Sequence, residues 1–223
     1  MLLYEKVLKN AEYLKTVKKI ENIRFITDGK WDWEHGLEHY KRVSLYVKQI
    51  LEQLKATDRT IELGMTAALL HDIGLSKGDK VDHAAESSKI FHRFIASGDI
   101  AEQEKELLRQ AISDHSKGDD IQSLIGLSLV LADKLDVTYH RTMNSTIQDK
   151  MNKEIQKIKE VTIDIKEEEL IVCYKTENDF DISILRDWDK SIMIPLKVSK
   201  YLGVKFRFLL NDKFVNLSSI FDL

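Results

Sequence analysis

The stretch Ala67-Ala68-Leu69-Leu70-His71-Asp72-Ile73-Gly74 constrains this chain more than any other. A run of small and apolar residues stops at a histidine, a carboxylate and a glycine. Residues 61–70 read as a helix buried on most of its circumference, whose last turn delivers His71 and Asp72 into the interior. A fully buried aspartate is rare unless it is paired or binds a metal. Successive side chains on a helix diverge by about 100°, so this pair cannot share a flat surface. The two can converge on one ion where a helix end opens into a cavity. Alone, the pair is weak evidence, since a buried histidine hydrogen-bonded to a neighbour is the common case, so the decision rests on partners elsewhere in the chain.

Those partners are found by reading in order. Residues 1–28 carry Leu2, Leu3, Val7, Leu8, Ala11, Leu14, Val17 and Ile20 at helical spacing, which predicts one docking helix. Trp31-Asp32-Trp33 follows, and packing is the expected role of its two indoles. Residues 34–54 read as a second helix, with His35 and His39 four apart on one face. Thr57 or Asp58 is expected to cap the third helix, which ends at His71-Asp72. Lys77 and Lys80 lie in the following polar loop, where solvated lysines are the default and an anion contact the alternative. Asp82 reads as the N-cap of a helix reaching residues 97–98, with His83 in its first turn. Capping boxes are expected at Asp99/Glu102 and Asp119/Gln122. The first opens a helix ending near His115, where the helix dipole favours imidazolium. The second opens a helix over residues 121–135 that is apolar nearly all round, and Asp133 falls within it.

After Asp136 the pattern changes. Residues 139–160 read as a polar helix. Residues 161–165 and 170–174 alternate around an acidic turn, as a β-hairpin does. Residues 182–202 are mostly helical despite Pro195, and 204–210 with 214–217 suggest a second hairpin across Asn211-Asp212-Lys213. The expected fold is mainly α: a helical bundle over residues 1–158 and a small α+β appendage with β-hairpins over 159–223, packed on the helical body.

Composition narrows the function. With 34 basic and 37 acidic residues interspersed over 223, no basic block marks a nucleic-acid footprint. A single cysteine, Cys173, excludes an intrachain disulfide and argues against a thiolate metal site. No apolar run approaches the ~20 residues of a membrane span, and no signal-peptide pattern opens the sequence, so a cytoplasmic location is expected. The ligand candidates His39, His71, Asp72, His83, His115 and Asp133 are all imidazole or carboxylate. That set suits Fe, Mn, Co, Ni, Zn or Mg.

Three ordered elements resemble the HD-domain superfamily of metal-dependent phosphohydrolases: His39-Tyr40-Lys41-Arg42-Val43, Ala68-Leu69-Leu70-His71-Asp72-Ile73-Gly74 and Leu131-Ala132-Asp133-Lys134-Leu135. The resemblance covers roughly residues 30–140 and implies an HD-domain bundle. It also implies that His39, His71, Asp72 and Asp133 hold a principal divalent metal. His83 and His115 resemble the extra histidines of two-metal branches, where Asp72 would bridge the ions. One such branch cleaves diadenosine tetraphosphate and another cyclic dinucleotides; the Gly-Tyr-Pro signature of the latter is absent. The implied reaction is attack of metal-activated water on a phosphoester or phosphoanhydride, with a nucleotide or related small phosphorylated molecule as substrate. Arg42 and Lys134 adjoin ligands and are candidates for phosphate contact, although Arg42 could equally partner a buried carboxylate. His35 could support the site, face substrate or lie exposed. Glu86, near His83, could act as an outer base; His92 and His140 read as core or surface. The rival function is a non-catalytic nucleotide-sensing or interaction module. The appendage could cap the site, recognise a partner or build a homodimer.

Overall fold

The computed structural model describes residues 2–23, 33–78, 82–96, 98–118, 121–142 and 149–221. Packing divides the chain into two compact units. The first comprises the described residues of Met1–Arg24 and His35–Asp133, the second those of Phe25–Glu34 and Lys134–Leu223. The change to strand periodicity expected near 159 begins with a strand at Ile158, whereas the packing division lies earlier, at 133/134.

In the first unit the expected N-terminal helix is two helices, α1 (Leu3–Leu8) and α2 (Ala11–Glu21). The break is local chemistry. Asn10 takes an extended conformation, and its side chain accepts from the amides of Glu12 and Tyr13, capping α2 rather than continuing α1. The third helix, α3 (Leu37–Gln53), starts after Gly36, so His35 precedes it and is not on its face. Helix α4 (Asp58–Leu70) is capped by Thr57, whose Oγ1 accepts from the Thr60 amide at 3.2 Å. Leu63, Ala67, Ala68, Leu69 and Leu70 are buried along it, each leucine worth about 1.5–3 kcal/mol of hydrophobic burial. Gly64 lets α3 come close: a Cβ there would stand 2.6 Å from Leu51 Cδ1 and 2.9 Å from Val47 Cγ1. From α2, the Tyr13 hydroxyl donates to Leu69 O at 3.0 Å and anchors the end of α4.

A 3-10 segment, Ile73–Lys77, continues from Asp72. Helix α5 (His83–Ile90) is followed by a 3-10 turn over Phe91–Phe94, so the helical region ends short of residues 97–98. Helix α6 (Glu102–Asp114) corrects the Asp99/Glu102 capping box. The N-cap is Ala101, whose amide donates to Glu104 at 2.9 Å, and Asp99 is an ion partner of Lys6. The carboxylate two residues further on wins because it also binds Arg59 of α4, at 2.7 Å. Helix α7 (Leu124–Leu135) is led by Ser123, whose Oγ accepts from the Gly126 amide; the expected cap Asp119 lies outside the described residues.

In the second unit the polar helix expected over 139–160 is instead a 3-10 turn, Tyr139–Arg141, and a short α8 (Lys150–Gln156) with residues 143–148 outside the description. Met151, Asn152, Glu154 and Ile155 of α8 are buried, and β1 (Ile158–Ile165) follows directly. Strands β1 and β2 (Glu169–Thr176) pair antiparallel. Helix α9 (Lys190–Leu202), containing Pro195, leads to β3 (Lys205–Leu210), which pairs with β2 in parallel. The short β4 (Lys213–Phe214) closes a hairpin with β3. Its two turn residues, Asn211 (φ 49°) and Asp212 (φ 64°), both take the left-handed conformation such a turn requires. The two hairpins thus form one sheet of order β1-β2-β3-β4. Trp33 packs edge-on against Trp188, and its Nε1 donates to Asn152 Oδ1 at 2.9 Å. Trp31, Asp32 and Lys80 lie outside the described residues. Among the described residues, no helix is long and apolar enough to cross a membrane.

Candidate metal centre

All six candidate ligands lie in the first unit, and its helices bring them to one carboxylate. His39 comes from α3, His71 from the end of α4, His83 from the start of α5, His115 from the end of α6 and Asp133 from α7. Asp72 stands at their centre, 3 % exposed. Its Oδ2 lies 3.4 Å from His71 Nε2 and 3.8 Å from His39 Nε2. Its Oδ1 lies 3.2 Å from His83 Nε2 and 3.3 Å from His115 Nε2. Asp133 Oδ1 faces the first pair, 3.5 Å from His39 Nε2 and 3.6 Å from His71 Nε2. The two oxygens of Asp72 therefore look toward two different sets of imidazoles.

Local geometry fixes how the rings are presented. His71 Nδ1 donates to Ala68 O at 2.7 Å, and His115 Nδ1 to Ile112 O at 2.6 Å, each a bond back to its own last helical turn. A ring whose Nδ1 proton is so committed turns Nε2 inward as the coordinating atom, the usual preparation of a metal-binding histidine. Gly74 sets the approach of α5. A Cβ at that position would meet His83 O at 2.3 Å and Ser87 N at 2.5 Å, and the Gly74 amide donates to Ser87 Oγ at 2.8 Å. That close contact holds the start of α5, and with it His83, beside the segment that follows Asp72.

The electrostatics favour a cation. Burial raises the Asp72 carboxyl, but His71, His115 and His35 outweigh it and hold its pKa well below the usual range. Burial lowers His71, but Asp72 and Asp133 prevail and push it up to about 10. The pocket's negative charge is thus strong enough to hold a cation, the proton being the simplest. His115 behaves oppositely. Burial, with the charges of His71 and His83, outweighs the pull of Asp72 and lowers it to about 4. The helix terminus that favours imidazolium is overridden, and His115 is neutral at physiological pH, as a ligand must be.

The donor set fits a divalent metal. The buried Nε2 of His71 has no hydrogen-bond partner. It faces oxygens at 3.4–3.6 Å, too far for a strong hydrogen bond. Donors sharing one ion at about 2.1 Å stand roughly 3–3.5 Å from one another. The coordinating atoms of His39, His71 and Asp133, and likewise of His71, Asp72 and His115, lie within 4.8 Å of one another.

Sequence reasoning left one residue of the cluster open. His35 reaches Asp72 Oδ2 with Nδ1 at 3.0 Å, and with His39 and Asp72 it forms a further group of potential ligand atoms. Its helical four-residue spacing from His39 pointed the right way for the wrong reason, since α3 begins only at Leu37. The remaining candidates are placed more simply. Arg42 lies three residues beyond His39 on α3, and Lys134 follows Asp133 on α7; both are half-buried. Glu86 accepts from Lys89 at 2.7 Å. Lys77 and His92 are exposed, and half-buried His140 stacks on Tyr139 with ring centres 3.9 Å apart.

A comparison with curated proteins returned no match. Residues 36–138 match the family described as the HD domain, a span that includes His39, His71, Asp72, His83, His115 and Asp133. Its typical members are metal-dependent hydrolases, and the buried His/Asp groups fit the divalent metal that such a domain implies. The match over residues 36–138 is consistent with the HD-domain superfamily.

Proposed function

We propose that this chain is a metal-dependent phosphohydrolase that cleaves a phosphoester or phosphoanhydride of a nucleotide or related small phosphorylated molecule. The observation that carries this reading is the division of Asp72, with Oδ2 toward His39 and His71 and Oδ1 toward His83 and His115. A divalent cation in such a centre supplies Lewis acidity, neutralising phosphoryl oxygens and making water acidic enough to attack near neutral pH.

The chain's own residues do the rest. His39, His71, Asp72 and Asp133 would hold the principal ion. His83 and His115, with Asp72, would hold a second ion; their Nε2 atoms stand 3.2 Å apart, a pairing of ring nitrogens that calls for a cation or proton between them. The carbonyls of Ala68 and Ile112 fix the rings of His71 and His115 beforehand, so little side-chain freedom is lost on loading. Arg42 and Lys134 contribute charge-assisted contacts to the substrate phosphate.

Metal analysis of the purified protein, followed by a screen of nucleotides, dinucleoside polyphosphates and simple phosphoesters with Mn, Fe, Co, Ni and Mg, tests this reading. Two ions per chain at saturation and metal-stimulated hydrolysis are expected. One ion with full activity would eliminate the second site. Ions bound without hydrolysis of any compound would turn the reading to a sensing module.

A further inference from the structure

Five histidines face Asp72, and one does so differently. His39, His71, His83 and His115 all present Nε2, at 3.2–3.8 Å. For His71 and His115 Nδ1 is committed to a backbone carbonyl, so Nε2 is the ring atom left to face the carboxylate. His35 presents Nδ1 at 3.0 Å, the shortest of the five approaches and an ordinary N–H···O length. It comes from the segment before Gly36 rather than from a helix, its side chain 11 % exposed against 0 % for His39 and His71 and 16 % for His83. A carboxylate shared between two sets of ligands must keep one tilt to serve both, and the histidines on its two sides pull its oxygens in opposite senses. A donor from outside either set can lock that tilt.

We infer that His35 is a positioning residue for Asp72, its Nδ1–H donating to Oδ2 and fixing the carboxylate between the two histidine sets. This rests on the reading that Asp72 holds metal. The competing role is that His35 coordinates the ion itself through Nδ1, and side-chain isosteres separate the two. The asparagine amide nitrogen occupies about the place of ring Nδ1 and can donate; the glutamine amide lies nearer the place of Nε2.

The test is calorimetric titration of the chelator-treated full chain with Mn(II), for wild type, His35→Ala, His35→Asn and His35→Gln. Loss of a residue that orients a ligand costs about 10–100-fold in metal affinity. His35→Ala and His35→Gln should therefore weaken Mn(II) binding by that factor with stoichiometry unchanged. His35→Asn should stay within roughly threefold of wild type, since the donor is retained. Asparagine as weak as alanine, an ion lost from the stoichiometry in His35→Ala, or alanine equal to wild type would each overturn the inference. Should His35→Ala fail to fold, the contrast between Asn and Gln decides. A wild type that takes up no Mn(II) overturns the metal-centre reading and this inference with it. A wild type that binds while the variants do not follow this order overturns the role of His35 alone.

Discussion

The two units bury polar groups in opposite ways. In the sheet-bearing unit these groups are mostly spent on the fold. Glu154 pairs with Lys157 at 3.0 Å and accepts from the Asp181 amide at 2.7 Å. Arg141 donates to Glu34 O at 2.6 Å and lies 3.9 Å from Asp136, while Ser191 and Ser199 return their hydroxyls to carbonyls three residues back. Among the described residues there, no group of three or more His, Cys, Asp or Glu side chains comes together as potential metal ligands. In the helical unit, five imidazoles and two carboxylates converge, four rings presenting Nε2 and His35 its Nδ1 toward Asp72. Buried polarity that packing does not explain marks a functional site.

The sharpest way to break this contrast is substitution of one buried polar group in each unit. Asp72→Asn keeps shape and removes charge, so metal content should collapse and metal-stimulated hydrolysis fall to background with helicity preserved by circular dichroism. Asn152→Ala should leave metal content unchanged and cost about 1–3 kcal/mol of stability, because the Trp33 indole loses its acceptor. Equal loss of metal in both variants would erase the distinction between the units.

Removing the metal is the next largest perturbation. An ion present at 1,000 times its Kd stabilises by about 4 kcal/mol, which for a chain this size is roughly 8–16 °C in Tm. Chelation followed by Mn(II) addition, monitored by thermal melts, should lower and restore Tm by that order. An unchanged Tm would mean that the cluster is satisfied without an ion.

Glycines provide a matched pair of smaller size. Gly74→Ala drives a methyl into the backbone of α5, costing about 1–3 kcal/mol, and should also reduce the second equivalent of bound metal by displacing His83. Gly203 ends α9 at φ 70° with open space around it, so Gly203→Ala should cost about 1 kcal/mol and leave metal binding alone. Denaturant melts and metal analysis of both variants check this.

The smallest effect concerns acid. Arg59, with the Ala101 amide, lowers Glu104 from 4.5 to about 2. A carboxyl depressed on folding stabilises above its unfolded pKa, and that contribution disappears as pH falls from 4.5 toward 2. Because the pair is partly exposed, Glu104→Gln should flatten the acid limb of the stability curve by only a few tenths of a kcal/mol.

The same contrast explains what the sequence could reveal. Chemistry was legible where residue type is restrictive: histidines and aspartates in apolar helices stand out, and the structure brings four of the histidines to Asp72, with Asp133 facing two of them. His35 was less legible because a four-residue spacing was read as a helix face, whereas the chain turns at Gly36. Asn10 and Ala101 show the limit for boundaries, since either end of α1 or α6 suits several polar residues and neighbours such as Arg59 choose among them. The hairpins were visible in alternation and turn residues. Their union into one sheet was not, because the β2–β3 pairing joins residues far apart in sequence and leaves no local signature.

That union sets an order of events in folding. Strands β1 and β2 are separated by only three residues, and β3 and β4 by two, so each hairpin closes by local search on a timescale of about 1–10 μs. The parallel register from Glu169↔Lys205 to Tyr174↔Leu210 must wait until α9 has formed and brought its far end back. In the interval β2 and β3 each carry an open edge, with Leu170, Val172, Tyr174 and Phe208 not yet covered. Those open edges at the parallel joint are where aggregation would compete with folding of this unit.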